Sequence, residues 1–88
     1  MKNRGRTEML ATMLEVAKGK ATKTKVMYSA FLSFVQLKEY LSVLIETNLI
    51  EYLEGTQTYK TTEKGLNYLD MYNEIRKLLP QTTTIKNN

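Results

Sequence analysis

Residues 32–53, LSFVQLKEYLSVLIETNLIEYL, hold a helix and the start of a strand with almost no linker between them. Ser33 and Gln36 form an S-x-x-Q capping box, in which each side chain can satisfy a backbone N–H that a new helix leaves unpaired. Leu37, Leu41, Leu44 and Ile45 follow at helical spacing, so one flank of the helix is apolar. Asn48 tolerates left-handed dihedrals and closes it. The run LIEYL that comes next is short and rich in β-branched and aromatic residues, the composition of a strand. With the leucines turned inward, Ser33, Phe34, Gln36, Lys38 and Glu39 are left to face outward or partly so.

Upstream, the pattern predicts a helix from Thr7 to about Lys18, with Thr7 as its cap and Glu8 near the positive end of its dipole. Leu10, Met13, Leu14 and Ala17 form its inward stripe. KGKATKTK, residues 18–25, interrupts the period: Gly19 is a fitting terminator, and Thr22 or Thr24 can cap a second helix running through Ala30 with Val26, Met27 and Ala30 inside. A turn of about three residues then joins this helix to the one at Ser33, the connection of a helix-turn-helix.

Downstream, LIEYL and QTYKT read as a hairpin around EGT, where Gly55 supplies turn flexibility. The two-residue period groups Ile50 with Tyr52 and Tyr59 with Thr61, leaving Thr58 and Lys60 outward. Thr62 and Glu63 open a last helix over 63–79, which Pro80 stops. Leu66, Leu69 and Tyr72 line one side of it. Tyr68, Met71, Ile75 and Leu78 are spaced three, four and three apart on another, the a/d rhythm of a coiled-coil seam. The seam is short, and a wide core-facing helix is the other reading. The expected organisation is a basic flexible arm over 1–6, one domain over 7–79 that includes the last helix as a dimerisation element, and a polar disordered tail over 80–88. The fold class is mainly α with a small β-hairpin, in the order α-α-α-β-β-α.

Composition narrows the function. Eighty-eight residues form one small domain with a marginal core of its own, for which dimerisation is a common remedy. There is no Cys and no His, which removes disulfides, thiol nucleophiles, His relays and the usual zinc ligands. No carboxylate pair has an acid/base arrangement, and KGKATKTK lacks the G-x-x-x-x-G-K-[ST] phosphate loop, so neither catalysis, cofactor nor metal is expected. Without an apolar leader or a long apolar run the chain reads as cytoplasmic, with no membrane partner. The net charge is +4, and Lys2, Arg4, Arg6, Lys18, Lys20, Lys23 and Lys25 crowd the first third against only Glu8 and Glu15. Such an end suits a polyanion, because lysines that neutralise phosphates release counterions.

Residues 23–69, KTKVMYSAFLSFVQLKEYLSVLIETNLIEYLEGTQTYKTTEKGLNYL, resemble the small archaeal winged helix-turn-helix DNA-binding proteins. Their pattern of K-T-R-hydrophobic-M-Y, L-S-aromatic, Q-L-x-x-Y-L, G-L-I and Y-x-x-T-x-K-G falls here on Lys23, Thr24, Lys25, Met27, Tyr28, Leu32, Ser33, Phe34, Gln36, Leu37, Tyr40, Leu41, Leu49, Ile50, Tyr59, Thr62, Lys64 and Gly65. The resemblance implies a homodimer that binds double-stranded DNA as a regulator or chromatin-type protein, located with the nucleoid, with some relatives pairing through the last helix. Three positions depart from the pattern: Lys25 stands where Arg is usual, Phe31 where a small turn residue is common, and Asn48 where Gly is common.

On that reading the helix at Ser33 enters the major groove by its first turn. Gln36 either reads adenine through its amide or stays in the capping box. Lys38 meets a phosphate or guanine, Ser33 caps the helix and faces phosphate, and Phe34 stands beside them. Glu39 is awkward near DNA unless it accepts from a cytosine amino group, which places it at the margin. Lys23 and Lys25 are backbone clamps. Gln57, Thr58 and Lys60 are wing contacts, and Arg4 and Arg6 belong to an arm that can reach a minor groove. Tyr28, Tyr40, Tyr52 and Tyr59 are assigned to the core, which argues against base stacking. The alternative is a protein-interaction module using Phe34, Val35 and Val43, with structured RNA a third option.

Overall fold

The computed structural model describes residues 5–78. Its elements are α1 (Arg6–Val16), a 3₁₀ turn (Ala17–Gly19), α2 (Lys23–Ser29), α3 (Phe34–Glu46), β1 (Ile50–Leu53), β2 (Thr58–Thr61) and α4 (Glu63–Leu78). The order α-α-α-β-β-α agrees with the sequence reading. Arg4, Leu79 and the tail expected over 80–88 lie outside the described residues.

α1 begins one residue before the expected start. Gly5 is its N-cap in an extended conformation with no side-chain bond, and the Met9 N–H donates to the Gly5 carbonyl at 3.0 Å. Thr7 therefore lies inside the first turn, and Arg6, expected in the flexible arm, is the first helical residue. Met9, Ala11, Met13 and Leu14 are all buried, a wider band than the single stripe expected from the spacing. The reason is placement: α4 lies against α1 on one side, and α2, β2 and the 3₁₀ turn meet it elsewhere. A helix in the middle of a domain is covered on several faces.

The 3₁₀ turn ends at Lys20, whose φ of 69° makes the reversal that Gly19 was expected to make. Ala21 then pairs with Tyr59 in an antiparallel bridge, its N–H donating to the Tyr59 carbonyl at 2.9 Å and the Tyr59 N–H donating back at 2.7 Å. The lysine-rich segment thus supplies a third rung beside the hairpin. Thr22 caps α2 by accepting from the Lys25 N–H at 3.1 Å. Both α2 and α3 end in the same closure: the Phe31 N–H donates to Tyr28 and the Leu32 N–H to Met27, while the Asn48 N–H donates to Ile45 and the Leu49 N–H to Leu44. This Schellman arrangement needs a left-handed residue, supplied by Phe31 at φ 56° and Asn48 at φ 63°.

β1 and β2 pair antiparallel with Ile50 opposite Thr61 and Tyr52 opposite Tyr59. Ile50 and Thr61 are buried at the base of the hairpin, and the Thr61 hydroxyl donates to the Leu14 carbonyl at 2.6 Å, satisfying an acceptor near the end of α1. Nearer the tip the cover thins, so Tyr52 is exposed although it shares a face with Ile50. Thr58 and Lys60 are half-buried rather than fully outward. Gln57, at φ 54°, makes the turn that Gly55 was expected to make.

α4 is fastened to the end of α3. The Thr62 hydroxyl donates to the Asn48 carbonyl at 2.7 Å and accepts from the Gly65 N–H at 3.0 Å, and Lys64 Nζ donates to the Thr47 carbonyl at 2.9 Å. Gly65 is required by proximity, since a Cβ there would overlap the Leu49 carbonyl oxygen. Of the side expected to face the core, Leu69 is buried, Tyr72 half-buried and Leu66 exposed. The side of α4 that carries Leu69 and Tyr72 rests on the domain, and on the other side Met71, Ile75 and Leu78 are exposed.

Candidate nucleic-acid interface

α3 starts where the sequence places it. The Gln36 N–H donates to Ser33 Oγ at 3.1 Å and the Ser33 N–H donates to Gln36 Oε1 at 3.0 Å, so the capping box is complete. Leu37, Leu41 and Leu44 are buried, whereas Ile45, at the edge of the stripe, is exposed. The 3.6-residue period then puts Val35, Glu39, Ser42 and Glu46 opposite the leucines, and all four are exposed. Glu39 is therefore in the middle of the free face rather than at its margin. Phe34 and Lys38 occupy the adjoining flank, with Lys38 Nζ 5.5 Å from the centroid of the Phe34 ring.

Of the two roles open to Gln36, capping is the one realised, and it has a chemical consequence. Pairing with adenine uses the carboxamide oxygen and nitrogen together. In the folded chain that oxygen already accepts from Ser33. Only the amide N–H₂ remains to donate, so bidentate reading would require the cap to open.

Lys23, the first residue of α2, shares a groove of about 370 Å³ with Leu37, Lys38, Leu41, Ser42, Ile45 and Tyr59. The groove thus takes one lysine from each helix of the pair, together with the apolar side chains of Leu37, Leu41 and Ile45. Lys25 is exposed on α2, and among the described residues neither Lys23 nor Lys25 makes an ion pair. Burial, and secondarily the neighbouring Tyr52 phenol, pushes the Tyr59 hydroxyl above its ordinary pKa, so it stays a neutral donor. The rings of Tyr52 and Tyr59 lie 5.0 Å apart.

The wing is less cationic than its sequence suggests. Lys60 stands opposite Glu51 in the ladder, where opposite charges offset each other. At the tip Gln57 is exposed, and the hydroxyls of Thr56 and Thr58 lie 2.6 Å apart. Arg6 is exposed at the start of α1, and Arg4 lies outside the described residues. Val43, named for the protein-interaction alternative, is half-buried and contributes little to a free surface.

Sequence reasoning missed Ser42, Ile45 and Tyr59 as walls of the groove, and it misplaced Tyr28. Tyr28 is 68% exposed, on the flank of α2 away from Val26 and Ala30. The signal was present, because counting the helical period from Val26 and Ala30 puts residue 28 on the far side. Phe31 is 82% exposed at the turn between α2 and α3. Among the described residues no group of three or more acidic, His or Cys side chains could hold a metal ion, and no helix is long and apolar enough to cross a membrane.

Residues 3–80 match the family model described as winged helix-turn-helix. The chain is also similar to the crystal structure of Sso10a-2, a DNA-binding protein from Sulfolobus solfataricus, with 26% identity over 85% of this chain and 81% of that one and a TM-score of 0.73. No curated protein matches the sequence. A capped α3 set against α2 through a tight turn, followed by a two-stranded wing and a closing helix, occupies the matched span, and the chain belongs to the winged helix-turn-helix family.

Proposed function

We propose that the protein binds double-stranded DNA as a homodimer, acting as a transcription regulator or an architectural protein of the nucleoid, with α3 in the major groove. The observation that carries this reading is the division of α3: its leucines are buried, while Phe34, Val35, Lys38, Glu39 and Ser42 are exposed and Lys23 of α2 lines one groove with Lys38. A first helical turn presented in this way is what the major groove admits. Lys23, Lys25 and Lys38 clamp phosphates, Ser33 holds the first turn in place, and Gln57, Thr58 and Lys60 lie along the backbone. Arg4 and Arg6 add cationic charge at the front of the chain. The likeness to Sso10a-2, itself a DNA-binding protein, supports the same assignment.

Dimerisation rests on α4. Met71 and Ile75 are more than half exposed and Leu78 is 80% exposed, at a/d spacing along one side of α4. Tyr68, half-buried and stacked on Tyr72 with ring centroids 6.4 Å apart, begins the same seam. A second copy covers this stripe in the proposal.

Titration against duplex DNA over a range of salt tests the assignment. If Lys23, Lys25, Lys38 and Lys60 each hold a phosphate, log K falls against log salt with a slope of about −3.6 per protomer, or about −7 per dimer. A flat response overturns it. Enrichment from a pool of random duplexes separates a sequence-reading regulator from an architectural protein, which leaves the pool unchanged. The exposed Phe34 and Val35 also suit a protein partner. In that reading duplex affinity is weak, and a Phe34→Ala change abolishes capture of the partner.

A further inference from the structure

The first turn of α3 presents an unusual surface for a helix entering a polar groove. Its first two residues are Phe34 and Val35, which are 57% and 70% exposed. Single exposed apolar side chains are ordinary on a protein surface. These two are adjacent, at the end of the helix that meets base edges in this fold. They border one shallow recess of about 530 Å³ with Lys38, Glu39 and Ser42. The ring of Phe34 lies under Lys38 Nζ, and Val35, β-branched in a helix, has essentially one side-chain rotamer. Val35 is therefore set in one conformation before any ligand arrives.

The polar reader expected at this turn is committed elsewhere, because Gln36 Oε1 accepts from the Ser33 N–H. Of the first two residues of the helix, both exposed, what is offered for direct contact is apolar surface, with Lys38, Glu39 and Ser42 as its polar border. In the major groove the apolar feature of the natural base pairs is the 5-methyl group of thymine. We infer that α3 recognises its DNA through this group, with Val35 in contact with a thymine methyl and Phe34 forming the neighbouring wall. Val35 is thus a specificity-determining residue. The inference rests on the duplex-binding reading and names what that site identifies. Duplex rather than protein is favoured as the occupant because Lys38 borders the apolar pair, Lys23 lines the adjoining groove that Lys38 and Ser42 share, and the chain carries a net charge of +4.

The test uses the full chain and a duplex that the chain itself enriches from a random pool. That duplex is resynthesised with deoxyuridine in place of each thymidine in turn, which removes the methyl and leaves the pairing edges intact. At one or more positions the exchange is expected to weaken binding about fourfold, the effect of withdrawing one buried methyl. Val35→Ala is expected to bring the thymine-to-uracil affinity ratio at that position close to one. Comparing ratios in this double-mutant cycle cancels any change in duplex shape. Val35 is exposed and alanine is the better helix former, so the variant folds.

Equal binding of the thymine and uracil duplexes, a ratio that survives Val35→Ala, or a pool bound without enrichment overturns methyl recognition while duplex binding stands. A pool that is not bound at all overturns both. The first of these outcomes frees the apolar face for a protein partner.

Discussion

Replacing Gly65 with alanine sets two physical effects against each other. In a helix interior alanine is favoured over glycine by about 1 kcal/mol, an upper bound for Gly65 in the first turn of α4, so propensity alone favours the variant. Packing acts the other way. The new Cβ would overlap the Leu49 carbonyl oxygen and stand 2.6 Å from Thr61 Cγ2. Neither neighbour can retreat easily: the Leu49 carbonyl accepts the Thr62 N–H at 3.1 Å, and the Thr61 hydroxyl is tied to Leu14 at 2.6 Å. Relief requires α4 to lift from the β1 and α3 ends, breaking the Thr62–Asn48 and Lys64–Thr47 bonds that hold it there. Overpacking against backbone lies at the upper end of its usual range, about 3 kcal/mol. The expected net loss is therefore about 2 kcal/mol, a fall in Tm of roughly 8–16 °C for a domain of this size. Thermal melts followed by circular dichroism measure it, at one fixed protein concentration because the proposed dimerisation would make Tm concentration-dependent. Asn67→Ala, at an exposed position two residues further along α4, is the control and is expected to hold or slightly raise Tm. A Gly65→Ala protein that melts at or above the wild-type temperature refutes the packing argument.

Ser33→Ala removes the acceptor of the Gln36 N–H and is expected to lower stability by about 1 kcal/mol. An unchanged thermal midpoint would mean that the capping box contributes nothing. Thr61→Val keeps the side-chain shape but deletes the buried bond to the Leu14 carbonyl, with an expected loss of about 1–2 kcal/mol read from urea midpoints. Equal midpoints would contradict the role given to that bond. Ile75→Glu puts a charge into the proposed α4 seam and is expected to convert a dimer into a monomer in sedimentation equilibrium. A dimer that persists would place the interface elsewhere. Glu39→Gln removes the one negative charge beside the Val35 recess, so binding to random duplexes should tighten while preference for the enriched duplex narrows. Unaltered affinity for both would move Glu39 out of the interface.

The order of elements and the ends of α3 were legible because they are decided locally. A capping box satisfies backbone groups of its own first turn, and Asn48 takes a left-handed conformation that few residues tolerate, so neither needs the rest of the chain to act. The same holds for the leucine period that turns one flank of α3 inward. Local chemistry was also ambiguous at places. Gly19 and Gly55 are permissive, yet the reversals fall on Lys20 and Gln57, because the bridge at Ala21 and the register of the hairpin dictate where the chain must turn.

Tertiary contacts decided which apolar faces are covered. A period identifies a stripe, but burial depends on what lies across from it: α1 is buried on several sides because three elements and a turn surround it, whereas Tyr52, in phase with buried Ile50, emerges where the hairpin outruns the core. Gln36 had two chemically valid partners, and only the folded geometry commits its oxygen to Ser33. The meeting of Lys23 with Lys38, Ser42 and Tyr59 brings together three segments distant in sequence. Hydrogen bonds between neighbours along the chain are set by backbone stereochemistry and so are written in the sequence. Contacts between remote segments depend on how whole elements pack, a balance of many small burial terms that no short run of residues contains.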